Sequence, residues 1–357
     1  MTLKKLSVAV VLLSFVLLFQ QCSKKDDSSS TTATTTDPQP NLPATPFNYI
    51  TSFPAHVQNA LNTNDNTPSD NPLTNNGATL GRVLFYDVHL SKNNTISCGS
   101  CHKQAESFTD PQQFSKGFAG GFTARHSMAL LNARFYKSGK MFWDERSPSL
   151  EKQALQPIQN STEMGLTLSE LETKVKSLNY YPALFQKAFG TTQIDSVLIG
   201  KAIAQFVRSI VTYQSKYDQV KQGMATFTPD EAAGEQIFLT PPPGGAPACN
   251  GCHTAPMFLT SAPAGPFGLA DPNDAGINGQ NRFKAGSLRN IAISGPLFHN
   301  GSIGSLSAML NSGPPGSPTF IPAHSVNPTD AARLIAFLST LTDNTVLTEQ
   351  RFSDPFK

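Results

Sequence analysis

One motif constrains this chain more than any other: C-x-x-C-H occurs twice, as Cys98, Cys101 and His102 in "CGSCH" and as Cys249, Cys252 and His253 in "CNGCH". These residues use all but one of the five cysteines. On a helical turn, cysteines at i and i+3 project to one side and can each form a thioether to a porphyrin vinyl group, while the next histidine reaches the iron. A four-cysteine zinc site would have to unite two distant pairs and would leave both histidines unused. A redox dithiol needs no histidine, and disulfides in an exported protein do not call for one beside each pair. Covalent haem uses all three residues, twice.

Each motif follows a segment with the same punctuation. Before Cys98 stands "GATLGRVLFYD", with Leu80, Val83 and Leu84 on one helical face and Gly81 just ahead of Leu84 and Phe85. Before Cys249 stands "TPDEAAGEQIFLT", where Thr228 and Glu231 form a capping box, Pro229 takes the first helical position and Gly234 precedes Ile237 and Phe238. Two similar modules follow from the repeated G-x-x-(L/I)-F unit. Further helices are predicted at "TLSELETKVKSL", capped by Thr167 and Glu170, across 194–215 as a connection between the modules, and in "NPTDAARLIAFLSTLTD" from Pro328. No strand-rich region stands out, so the class is mainly α.

The N-terminus begins with Lys4 and Lys5 and an apolar run, Leu6 to Phe19, too short to span a bilayer comfortably. It reads as an export signal over 1–21. Cys22, right after the run, is similar to the lipidated cysteine of bacterial lipoproteins, although Gln20 and Gln21 replace the usual small residues. A lipid on Cys22 would tether the chain to the inner or outer membrane from the periplasm, where c-type haem is attached. Residues 22–46 are a Ser/Thr-rich stretch with too little apolar surface to offset chain entropy, a disordered tether. With 27 basic and 25 acidic residues, two of the basic ones in the signal, the mature chain is close to neutral and no nucleic-acid partner is implied. Hydrophobic residues make up 39% of the chain, part of them in the signal, so a large apolar cofactor would supply core that side chains do not.

The order of motifs resembles the bacterial dihaem cytochrome c peroxidases, a family that includes the MauG-like enzymes. The resemblance is carried by "LGRVLFYDVHLSKNNTISCGSCHKQAESFTD" and "RHSMALLNARFYKSGKMFWDERSPSLEKQALQPIQNSTEMG", then by "GEQIF", "CNGCH", "FKAGSLRNIAISGPLFHNGSIGSL" and the final helix. It implies two class I cytochrome c-like domains, an N-terminal peroxidatic haem domain over 47–222 and a C-terminal electron-transfer haem domain over 223–345. A tail, 346–357, is free to pack back on the first. Matched residue by residue, Trp143 falls at the position bridging the haems, Gln153 and Glu163 in the peroxide pocket, and Arg125 in the loop over the first haem. The residue types suit these roles: a partly desolvated carboxylate can move a proton between peroxide oxygens, and a guanidinium can stabilise charge on the departing one. Taken alone, Trp143 would read as a core aromatic, Glu163 as a helix-start acid and Arg125 as a surface ion-pair partner.

Many family members carry a displaceable histidine over the peroxidatic iron, about sixteen residues after the proximal one. Here that count reaches Phe118, so the first haem is expected to have an open or water-bound sixth site and to react with peroxide while fully oxidised. His126, in the same Gly-rich loop, is the alternative distal ligand. It also replaces an asparagine that helps hold calcium in the family, and neutral imidazole is a poor ligand for that cation, which disfavours calcium. The second haem takes methionine, or tyrosine in the protein-oxidising branch. No tyrosine stands in "SLSAMLNSGPPG", so Met309 is the expected sixth ligand, with Met257 as rival. His56, His89 and His324 read as loop or surface residues.

The function so implied is reduction of hydrogen peroxide to water with electrons from a small periplasmic donor, a cytochrome c or cupredoxin. The alternatives are a MauG-like enzyme oxidising tryptophan or tyrosine of a partner protein, and a non-enzymatic dihaem electron carrier. Homodimers are frequent among relatives.

Overall fold

Two helix crossings organise the chain, and each depends on a glycine. The computed structural model describes residues 38–50, 52–241, 248–259, 273–313, 321 and 324–357. Gly81 lies where α2 (Asn75–Tyr86) crosses α8 (Ser196–Ser209), and a Cβ on it would stand 2.0 Å from the Ala202 carbonyl oxygen. Gly234 lies where α10 (Pro229–Leu239) crosses α13 (Pro328–Ser339), with the Arg333 carbonyl at the same 2.0 Å. Only glycine lets the two backbones approach this closely. The aromatic neighbours repeat as well. Phe85 meets Phe206 at 5.1 Å in the first crossing and Phe238 meets Phe337 at 5.4 Å in the second.

The remaining helices are α1 (Ala55–Asn64), α3 (Cys98–Cys101), α4 (Leu150–Ala154), α5 (Gln156–Gln159), α6 (Leu168–Ser177) and α7 (Tyr181–Phe189). After them come α9 (Lys216–Lys221), α11 (Cys249–Cys252), α12 (Leu306–Leu310) and α14 (Thr345–Thr348). Among the described residues there is no strand, only isolated bridges. Both capping boxes form, Thr167 with Glu170 on α6 and Thr228 with Glu231 on α10, each satisfying two otherwise unpaired N–H groups.

Helix α8 is not the connector that 194–215 suggested. It starts after the cap Asp195 and ends at Ser209, and its apolar face packs on α2 as α13 packs on α10. The connection is the extended run that follows, whose backbone N–H groups are held by side chains: Thr212 by Asn132, and Tyr213 and Gln214 by Asp343. The second core therefore begins earlier than the boundary at 222, since Tyr217 on α9 packs against Phe258 and Phe337. It is anchored by a fully buried ion pair, Arg289 Nη1 to Asp218 Oδ2 at 2.6 Å.

The segment before 46 is already seated, because Asn41 donates to the Pro355 carbonyl at 2.7 Å and Leu42 packs on the first core. The tail lies on that core too. Phe352 packs against Phe108 and Phe206, and the Phe352 carbonyl accepts from the Tyr86 hydroxyl at 2.7 Å. This explains why α2 is buried on every side and not on the single face its spacing suggests. The expected export signal, Cys22 and the first part of the tether lie outside the described residues.

Candidate active site

Each C-x-x-C-H sequence forms one helical turn, α3 or α11, and all four cysteines are unpaired and half-buried. The histidine after each is half-buried and lines a cavity, His102 the first and His253 the second. Burial, above all, pushes both imidazoles down to about 4, so they are neutral at pH 7 with a nitrogen lone pair to offer. His102 Nδ1 lies 3.1 Å from the Phe108 carbonyl, which leaves Nε2 for the cavity. The carbonyls of Phe258 and Gly286 face the His253 ring, but its Nδ1 makes no well-formed hydrogen bond with either. This donor set fits two covalently held haems: paired thiols on one turn, a neutral histidine beside each pair, and a cavity wall opposite.

The first cavity brings together Arg125, Trp143, Gln153 and Glu163 with His102. Burial raises the pKa of Glu163, with Arg146 pulling weakly the other way. Its place is set by backbone bonds: the Glu163 carbonyl accepts from Phe118 N at 2.9 Å, and its own N–H donates to Asn160 Oδ1 at 3.1 Å. Arg125 is clamped between two carboxylates, Asp274 at 2.5 and 2.7 Å and Asp144 at 2.7 Å. Burial opposes its charge, but the bonds to Asp274 and Asp144 outweigh it and raise the pKa.

Trp143 lines both cavities. Its indole Nε1 donates to the His126 carbonyl at 2.8 Å, and its own carbonyl accepts from Lys284 N at 2.8 Å. Met309, on α12, lines the second cavity with His253. Its rival Met257 lies instead in a separate apolar cluster with Val57, Phe135, Tyr136 and Val211.

Several residues fall elsewhere than the sequence suggests. Phe118 does not line the first cavity; its ring covers Gly165, and Phe122 lines the cavity in its stead. Counting along the chain does not capture a loop that turns back on itself between Gly117 and Gly121. His126 is in the cavity wall, but its ring is engaged, with Nε2 3.0 Å from the Thr109 hydroxyl and Nδ1 3.2 Å from the Gln112 and Gln113 carbonyls. His56 is not a surface residue: it sits on α1 with Nε2 2.8 Å from buried Asp218 Oδ1. His89 pairs with Asp87 at 2.6 Å, and His324 lines the second cavity, edge-on to Phe298. Lys284 is buried and lines both cavities, and a lone lysine carries no sequence signal that would find it.

Residues 75–226 match the family model described as di-haem cytochrome c peroxidase. The chain is 31% identical over 280 residues to the cytochrome c551 peroxidase of Nitrosomonas europaea, covering 74% of this chain and 79% of that one. It is 31% identical over 256 residues to methylamine utilization protein MauG of Methylorubrum extorquens, covering 68% and 70%. Its fold is similar to the crystal structure of a MauG-like protein associated with microbial copper homeostasis, with a TM-score of 0.74, 29% identity, and coverage of 87% of this chain and 100% of the other.

Proposed function

The chain belongs to the di-haem cytochrome c peroxidase family, and from that premise we propose that it reduces hydrogen peroxide to water with electrons from a small periplasmic cytochrome c or cupredoxin. The family implies two c-type haems, and Cys98, Cys101 and His102 would hold the peroxidatic one, Cys249, Cys252 and His253 the electron-accepting one. When bound, the haems supply iron that binds peroxide and carries electrons. The observation that carries the reading is the convergence of Trp143, Gln153 and Glu163 on the cavity that His102 enters.

Glu163 takes the proton from one peroxide oxygen and returns it to the departing one, which a half-buried carboxylate of raised pKa can do near neutral pH. Gln153 positions the peroxide by hydrogen bonding, and Arg125, fixed by Asp144 and Asp274, presents positive charge to the oxygen that leaves. Trp143 carries electrons between the two sites, and Met309, a soft ligand, favours electron acceptance at the second. We place the protein in the periplasm, anchored through a lipid on Cys22, on the strength of the apolar run before that cysteine.

The second reading, oxidation of a partner protein, is favoured by the likeness to the MauG proteins. Turnover of peroxide with reduced cytochrome c separates the readings. A peroxidase consumes donor in step with peroxide and loses this in Glu163→Gln; a protein-oxidising enzyme reacts with peroxide but consumes donor poorly, and an electron carrier does neither.

A further inference from the structure

Beside the first cavity, Tyr136, Glu145 and Lys284 form a cluster to which the peroxidase reading assigns nothing. Tyr136 is 1% exposed and lines that cavity. Its hydroxyl donates a hydrogen bond to Glu145 Oε1. Glu145, half-exposed, lies in the turn after Trp143 with a backbone φ of 57°, in the left-handed region that L-residues seldom adopt. Burial, then the bond to Glu145, raises the pKa of Tyr136, and the phenol keeps its proton at rest.

Lys284 Nζ lies 3.7 Å from the centroid of the Tyr136 ring, with the Lys140 carbonyl at 3.1 Å and the Met141 sulfur at 3.5 Å as its other neighbours. The Lys284 backbone N–H donates to the Trp143 carbonyl at 2.8 Å, tying the cluster to the indole. A phenol is among the more easily oxidised side chains. Burial pushes the Lys284 ammonium down to about 7, so near neutral pH it is charged in only part of the molecules; where charged, it opposes removal of an electron alone, because attraction to the π-face becomes repulsion once the ring is positive. Simultaneous loss of the phenolic proton cancels that charge, and a carboxylate already stands at the hydroxyl.

We infer that Tyr136 is a redox-active residue that delivers one electron to the His102 site while passing its phenolic proton to Glu145. The inference rests on the peroxidase reading, which supplies the oxidant. Phenol and carboxylate become a neutral phenoxyl radical and a carboxylic acid, and one of the two oxidising equivalents of a peroxide molecule is consumed. An electron from the donor protein, with the proton returned by Glu145, restores both groups. The cluster thus holds one equivalent on the polypeptide until a donor arrives.

The test mixes oxidised holoprotein with one equivalent of hydrogen peroxide without donor, freezes it within milliseconds and records the electron-resonance spectrum. The expected result is a tyrosyl signal that narrows with ring-deuterated tyrosine, is lost in Tyr136→Phe, and falls by about tenfold or more in Glu145→Gln, where the proton acceptor is gone. An undiminished signal in either variant overturns the inference, as does native protein that consumes peroxide without forming a tyrosyl radical. Native protein that consumes no peroxide overturns the peroxidase reading and this inference with it.

Discussion

Trp143 Nε1 donates to the His126 carbonyl over 2.8 Å, and His126 N donates to the His299 carbonyl over 2.7 Å, so the indole is fastened to both the loop over the first cavity and the "FHNG" segment beside the second. The Lys284 N–H on the Trp143 carbonyl holds the backbone at the same level. The ring is fixed between two cavities that it also lines.

Trp143→Phe keeps an aromatic ring but removes the indole hydrogen bond and part of the bridging surface. Donor-dependent peroxide turnover should fall on the order of 10–100-fold, as misplaced reaction partners commonly cost. Haem content by absorbance should be unchanged. Turnover within twofold of native would remove Trp143 from the electron path.

Glu163 acts in its deprotonated form when it takes the peroxide proton, and burial raises its pKa. The rate should therefore fall as pH drops through a value above the ordinary carboxylate range near about 4.3. Glu163→Gln should lower the rate by about 10²-fold or more and abolish this acid limb. A pH–rate profile of peroxide reduction for both proteins checks it, and an acid limb that survives in the variant assigns the limb to another group.

Gly81→Ala and Gly234→Ala should each destabilise the fold, because the new methyl would stand 2.0 Å from a backbone carbonyl of the crossing helix. The expected loss is about 1–3 kcal/mol, read as a lower Tm by calorimetry. Equal effects in the two variants would agree with the repeated geometry. A neutral result at either position would mean that its crossing is not that close.

Met309 and His324 both line the second cavity with His253. Met309→Leu should abolish the weak long-wavelength charge-transfer band of a thioether-ligated ferric haem and lower that haem's reduction potential. His324→Ala should leave both in place. The opposite pattern, measured by absorption and redox titration, would make His324 the ligand.

The features legible in the sequence are the local ones. The capping boxes at Thr167 and Thr228, Pro229 at a first turn and the one-turn C-x-x-C helices involve residues a few positions apart, and all form as expected. The glycines of G-x-x-(L/I)-F were visible as a repeat, but their reason was not, since Ala202 and Arg333 are remote in sequence. The same distance hid the Asp218 partners His56 and Arg289 and the placing of Lys284 over Tyr136. The apolar pattern continues through Val211 and so predicts a longer α8, but the helix ends at Ser209 and the Val211 N–H closes a tight turn on the Ser209 carbonyl. Phe118 was misplaced because residue counting assumes the path of a loop whose backbone bonds to Gly121 and Glu163 set it differently.

The proposed activity needs two haems in unlike settings, one open to peroxide and one closed by a side chain. The electron-resonance spectrum of the purified, fully oxidised protein tests this most directly, because it counts the irons and reports the coordination of each. Equal amounts of one high-spin and one low-spin ferric haem are predicted, with the high-spin signal alone lost on adding peroxide. Two low-spin haems unchanged by peroxide, or a polypeptide carrying no haem after export and maturation, would contradict it.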